Sequence, residues 1–294
     1  MELTMLSSMA GPDFPVALDR HVALGLRLVD LKDGLWGQKG EDINDGQAVH
    51  AAALIAERSL EVHCLSTALG WADVNLGERM WRAGQEQLLQ RMLQVAAILQ
   101  PRYVRVLAVR IGTNEQPVRW SYSETVAAHP WMLVAYADLV HRINAAGFAV
   151  CIENECKHCA LASPEDVVAF FAALRPLIRD GVCDYIWDVQ NMWQMGTFPS
   201  VSGYQALRPF LRLLHLKGGR ADVNGILTEA CGLRKASWPV LQILEEVRRA
   251  AEVSVICLNP SHGKRPLGYD IWQVVQDDIA FLRERLPDLE TPMA

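Results

Sequence analysis

The sequence predicts an α/β protein built as one (β/α)₈ barrel, a single domain over residues 1–294. Three observations carry this. Short apolar runs alternate with longer amphipathic ones along the whole chain, the pattern of a parallel sheet covered by helices. No linker, low-complexity segment or internal repeat divides it, and 294 residues suit one large barrel. The turn after the first apolar run, residues 30–40, has no G-x-G-x-x-G, the glycine pattern that favours an open doubly wound sheet.

Taken in order, residues 21–31 read as the first strand and Asp45–Glu57 as an alanine-rich helix. Residues 60–66 form the second strand. Glu78–Leu99 follows as a long helix with Leu88, Leu89, Met92, Leu93 and Ala96 at helical spacing. Residues 103–111 are the third strand and 130–146 the third helix, which Gly147 stops. Residues 148–152 are the fourth strand. Ser163 caps a helix opening Pro164-Glu-Asp166, because proline at the first position and acids in the first turn suit a helix start. Residues 185–187 lie in the fifth strand and Leu211–Leu216 form the sixth. The seventh, 225–229, has the weakest pattern. Residues 237–252 are a helix capped by Ser237, 253–258 the eighth strand, and 270–285 the closing helix.

Composition narrows the class. Half the residues are hydrophobic (51%) and 21% are charged, as in ordinary globular proteins. The net charge of −6 opposes a nucleic-acid surface, which needs clustered Lys and Arg. Seven cysteines, an odd number scattered through apolar runs, read as reduced thiols. Residues 1–15 contain no Lys or Arg and no secretory pattern, and no stretch approaches the ~20 apolar residues of a membrane span. The expectation is a cytoplasmic protein with a small-molecule partner, no nucleic acid, no membrane and possible homo-oligomerisation.

Barrel chemistry sits at the C-terminal ends of the strands. Polar residues appear where four apolar runs stop: Glu153-Asn-Glu155, Asp188-Val-Gln-Asn191, His215-Leu-Lys217 and Asn259-Pro-Ser-His262. Glu153, Asp188 and His215 on consecutive strands suit a divalent ion, Mn, Co, Zn or Mg. Such an ion polarises a carbonyl and stabilises an enediolate. A lone acid at a strand end is more often a helix cap or ion pair; three on neighbouring strands favour a site. Lys217 follows His215 by two and faces the same way. Asn191 reads equally as a ligand-binding amide or a turn former, and His63 equally as a substrate contact or a core histidine. Trp36 and Trp193 are candidate platforms for the C–H face of a sugar, against simple loop packing. Arg105 and Arg110 have opposite parity, so only one points inward; a salt bridge is the plainer role for either. Cys156-Lys-His-Cys159 lacks the second pair of a structural zinc site and reads as packing or an access loop.

At Val150-Cys-Ile-Glu-Asn-Glu155, Ile186-Trp-Asp-Val-Gln-Asn-Met192 and Leu214-His-Leu-Lys-Gly218 the chain resembles the sugar phosphate isomerase/epimerase superfamily, barrels related to xylose isomerase and endonuclease IV. Gly196-Thr-Phe-Pro199 and Ser202-Gly-Tyr204 add to the likeness. The resemblance implies one divalent metal on Glu153, Asp188, His215 and a fourth ligand, at the ends of strands four, five, six and eight. That fourth ligand is normally glutamate, and here the position is Asn259. An amide oxygen can ligate but is no base at neutral pH, and His262 stands close by as a substitute. Two-base epimerisation is therefore weakened and one-base chemistry remains. Glu153, or Glu155 beside it, would remove a proton alpha to a carbonyl, with the metal and Lys217 holding the enediolate. The implied activity is an isomerase or epimerase acting on a sugar, inosose or related polyhydroxy compound. The alternatives are a lyase or dehydratase, or a non-catalytic barrel serving as a partner subunit. Hydrolysis of abasic DNA is disfavoured by the acidic charge and by the scarcity of histidines at strand ends.

Overall fold

A computed structural model describes residues 1–112, 121–260 and 263–287. Eight parallel strands form one sheet in the order β1-β10-β7-β6-β5-β4-β3-β2. They are β1 (Glu2–Met5), β2 (Leu28–Leu31), β3 (Glu61–Ser66), β4 (Tyr103–Ala108), β5 (Ala149–Asn154), β6 (Cys183–Asp188), β7 (Leu211–Leu216) and β10 (Val255–Leu258). A parallel bridge between Leu6 and Asp30 brings the two edge strands together and closes the barrel. The remaining strands, β8 (Gly218–Ala221) and β9 (Leu227–Cys231), form a separate antiparallel hairpin.

The helices cover the outside: α1 (Phe14–Ala23), α2 (Asp45–Glu57), α3 (Glu78–Leu99), α4 (Tyr122–Ala128), α5 (Met132–Ala145), α6 (Pro164–Ile178), α7 (Val189–Gln194), α8 (Val201–Leu207), α9 (Val240–Ala250) and α10 (Ile271–Arg285). Their starts follow local chemistry. Asn44 and Gln47 form a reciprocal capping box on α2. The Ser163 hydroxyl accepts from Asp166 N ahead of Pro164 on α6. Asp270 accepts from Trp272 N and Gln273 N on α10. No helix among the described residues is long and apolar enough to cross a membrane.

Two strand assignments need correction, and they compensate in number. The first barrel strand is Glu2–Met5, only four residues long and too short to show periodicity. The 21–31 run is broken instead: His21 lies in the last turn of α1, its ring bonded to Ala17 O and Met5 O, and Gly25 turns the chain at φ +69° before β2. The weak 225–229 strand is part of β9 and lies in the hairpin, where its side chains are half-exposed. A tight turn makes that hairpin, the Asp222 carboxylate accepting from Asn224 N and Ile226 N, with Gly225 at φ +79°. The site-bearing strands are consequently the fifth to eighth of the barrel. Ser237 does not cap its helix. Its hydroxyl accepts from Ala221 N of the hairpin, and α9 begins after Pro239.

Alternation then decides what the barrel interior contains. Cys151 and Glu153 share a face on β5, Ile186 and Asp188 on β6, Leu213 and His215 on β7. Cys64, Tyr103, Cys151, Ile186 and Leu213 form a small apolar cluster of their own. The larger core lies between sheet and helices. The β2–β3 register jumps from Val29↔Val62 to Asp30↔Cys64, leaving His63 as the extra residue of a bulge.

Asp278 of α10 is buried, its Oδ1 accepting from Leu233 N at 2.6 Å. Burial pushes its carboxyl up to about 7, the Leu233 N–H opposing and Asp277 reinforcing the shift. A raised acid binds its proton more tightly folded than unfolded, so stability falls as pH rises from the unfolded value near 4 to the folded one near 7. Asp278→Asn should therefore raise Tm at pH 8 and give little gain at pH 4, as thermal melts across that range would register.

Candidate metal and proton-transfer centre

Three adjacent strands end on ionisable side chains: Glu153 on β5, Asp188 on β6 and His215 on β7. Their ligand atoms all lie within 4.8 Å of one another, and all three residues are buried. Asn259, just past β10, is anchored by its own N–H to Leu216 O at 3.0 Å. Its side-chain Nδ2 donates to Asp188 Oδ2 at 3.4 Å. The position where the resemblance implies a fourth carboxylate thus carries a weak donor to the carboxylate opposite.

The acids are paired with buried cations. Arg105, inward on β4, places Nη1 2.7 Å from Glu153 Oε2 and gives its other N–H groups to Thr67 O. His215 Nδ1 is 2.8 Å from Glu153 Oε1. Lys217 Nζ, fully buried, is 2.6 Å from Asp188 Oδ2 and 3.0 Å from Asn191 Oδ1. Burial alone would raise the Glu153 carboxyl, but His215 and Arg105 together outweigh it and hold it well below the usual carboxylate range. Burial likewise would lower His215, yet Glu153 and Asp30 push it up to about 9. For Asp188 burial wins over Lys217, and its carboxyl is raised. Both cations, His215 and Arg105, thus favour the ionised form of Glu153.

A shell of amides fixes this arrangement. Asp188 caps α7, its Oδ1 accepting from Asn191 N at 3.0 Å. Asn154 binds Asp188 through both backbone groups and accepts from Tyr185 OH at 2.6 Å. Asn191 Nδ2 reaches Glu155 Oε1 at 2.9 Å, so one amide links Lys217 to the partly exposed Glu155. Trp193 is buried on α7, packs edge-on against Phe198 and donates from Nε1 to Gly225 O at 2.7 Å, tying the hairpin down.

Other candidates go elsewhere. Trp36 packs between the rings of Phe14 and His50 on α1 and α2. His63 is buried against Tyr103, its bulge position giving it access to the interior; burial above all holds it down to about 4, a neutral imidazole. His262 lies outside the described residues. Arg110 faces Trp71, leaving Arg105 as the inward arginine in a salt bridge. The Cys156–Cys159 segment is a loop in which Cys159 Sγ donates to Ala108 O, and all seven cysteines are free thiols. Sequence reasoning passed over Asp30. It sits at the C-terminal end of β2, bonded by Ser66 Oγ at 2.5 Å, with Oδ2 3.7 Å from His215 Nε2. Reading what ends the first apolar run, as was done for the others, is the signal that finds it.

No protein-family model matches the sequence, and no curated protein matches it either. Solved structures do match in fold. A zinc-bound IOLI protein superposes with a TM-score of 0.75 at 14% identity, covering 100% of both chains. A D-psicose 3-epimerase solved with D-fructose gives 0.71 at 16% identity, over 97% of this chain and 99% of that one. A probable 3-DHS dehydratase, AsbF, from Bacillus anthracis gives 0.69 at 13% identity, over 96% and 98%.

Both ends of the Arg105–Glu153 pair are out of water, so removing one charge strands the other. Arg105→Met should lower unfolding free energy by about 3–5 kcal/mol in a denaturant titration at pH 7. Arg105→Lys should recover only part of this, because lysine lacks the fork that reaches both Glu153 and Thr67 O.

Proposed function

We propose, from a barrel with the xylose isomerase-like fold, that this protein is a divalent-metal-dependent enzyme of isomerase/epimerase type, moving a proton at the carbon beside a carbonyl of a sugar, inosose or related polyhydroxy compound. The observation that carries the reading is the convergence of Glu153, Asp188 and His215 on adjacent strand ends, with Lys217 and Asn191 beside them. The structural neighbours' names, an epimerase acting on a sugar and a dehydratase, support the same substrate class.

Two carboxylates and an imidazole suit Mn, Co, Zn or Mg. The donors fit such an ion on one condition. Lys217 stands on Asp188 Oδ2 and has to leave that oxygen when the ion arrives. The bound ion would polarise the substrate carbonyl and stabilise enediolate charge. Asn259 contributes at most an amide oxygen.

The chain's own groups divide the remaining work. Glu153, held anionic by Arg105 and His215, acts as ligand. That leaves Glu155 as the base for the alpha proton, oriented by Asn191 and by Cys156 N at 2.8 Å. Lys217, bonded to the same Asn191, donates to the carbonyl oxygen as charge develops there. The buried Trp193 and the hairpin it holds exclude water on one side.

One base and one ammonium favour return of the proton to a neighbouring carbon. They equally support a dehydratase, in which Lys217 protonates a departing hydroxyl; the absence of a carboxylate at Asn259 is what favours this second reading over two-base epimerisation.

Turnover of ketoses, inososes and 3-keto sugars should appear with Mn or Co and vanish on chelation. Glu155→Gln should lower kcat about 10²–10⁴-fold with little change in metal content. Asp188→Asn should lose the metal. Full activity in Glu155→Gln would remove the assigned base. Metal uptake unaltered by Asp188→Asn would remove the assigned centre.

A further inference from the structure

Beside the mouth centre, and sharing His215 with it, the barrel interior holds a second group of donors. Asp30 on β2, His215 on β7 and Cys257 on β10 bring Oδ2, Nε2 and Sγ within 4.8 Å of one another. All three side chains are sealed from solvent. Among the described residues, Asp30 Oδ2 and His215 Nε2 have no hydrogen-bond partner, although they face each other at 3.7 Å. That separation is too long for a hydrogen bond. It is close to the spacing of two ligands around one tetrahedral ion, about 3.3–3.6 Å for bond lengths of about 2.0–2.2 Å.

The ring's orientation sharpens the point. His215 Nδ1 is held at Glu153 Oε1, which turns Nε2 towards Asp30 Oδ2. Both atoms are buried without a hydrogen bond, and one ion between them would serve each. Nearby, both ring nitrogens of His63 are also buried without a partner, and His63 lies close enough to Asp30 and His215 to feel both charges.

We propose that Asp30, His215 and Cys257 form an inner seat for a borderline-soft divalent cation of the zinc type, distinct from the mouth centre. The donor chemistry selects the ion, because a thiolate, an imidazole and one carboxylate suit zinc or cobalt(II) and disfavour magnesium. Binding releases the Cys257 thiol proton and the proton on His215 Nε2 to solvent, with Nδ1–H left on Glu153. A mouth ion would need Nδ1 of the same ring freed of its proton. An ion in the inner seat links β2 to β7 and β10 across β1, the closing strand of the barrel. The two centres share His215, so the seat is tested at Asp30 and Cys257, which the mouth reading does not use.

Cobalt(II) titration of the full-length protein tests it. The expected result is a near-ultraviolet thiolate-to-cobalt charge-transfer band with the visible spectrum of a tetrahedral site, competed away by zinc. Cys257→Ser should abolish the band. Asp30→Asn, which keeps side-chain size and the Ser66 bond, should weaken cobalt binding at least about tenfold, and covers the case in which Cys257→Ser fails to fold. Asp188→Asn should leave the band in place. A band that survives Cys257→Ser, with six other thiols present, overturns the seat. So does cobalt uptake without any thiolate band; if Asp188→Asn then removes that uptake, the mouth centre stands alone. No cobalt uptake at all overturns both.

Discussion

The site depends on the charge balance inside the barrel. Asp30, Glu153 and Asp188 are buried acids, and Arg105, Lys217 and His215 are the cations that make their burial tolerable. Taking any of these charges out of water costs several kcal/mol unless a partner and further hydrogen bonds compensate. The compensation here is nearly complete at the mouth. Thr67 O holds Arg105, Asn191 holds Lys217, and Asn154 holds the backbone of Asp188. Any ion or ligand entering here has to displace members of this network, and Lys217 is the member whose displacement frees both a carboxylate and an ammonium.

The network has the position it does because strand alternation puts an apolar layer under a polar one. Cys151, Ile186 and Leu213 seal the interior, and two residues later Glu153, Asp188 and His215 open onto the mouth. Short elements after the strands then build the wall. Asp188 is at once the last residue of β6 and the cap of α7, which points Asn191 back towards the acids. Trp193, five residues on, anchors the hairpin through Gly225. A few consecutive residues thereby supply a strand-end carboxylate, an orienting amide and a wall.

Much of this was legible in the sequence, for physical reasons. Long helices such as Asp45–Glu57 and Glu78–Leu99 carry enough turns to show their period, and the polar residues at strand ends interrupt apolar runs visibly. What stayed hidden depends on tertiary contact. Four residues are too few to mark β1 as a strand, whereas the hairpin strand β9 looks like one and belongs outside the barrel. Nothing local says that Arg105 meets Glu153 forty-eight positions away. Strand parity fixes only that one of the two arginines, Arg105 or Arg110, points in. The inward access of His63 comes from a register jump between β2 and β3, which no single-strand pattern contains. Trp36 illustrates the converse, an aromatic in a loop after a strand that folds back between two helices instead of over the mouth.

Closure by β1 has a kinetic consequence. The seam pairs Glu2–Met5 with Val255–Leu258, contacts that span almost the whole chain. Their ordering comes after most loop-closure entropy has been spent, and so such pairings form late and slowly. Until then β2 and β10 both present open edges, the surfaces through which partly folded chains pair with one another. Synthesis order lengthens that interval, since β1 must wait for β10. Refolding yield at rising protein concentration is thus expected to be sensitive to the four residues Glu2–Met5.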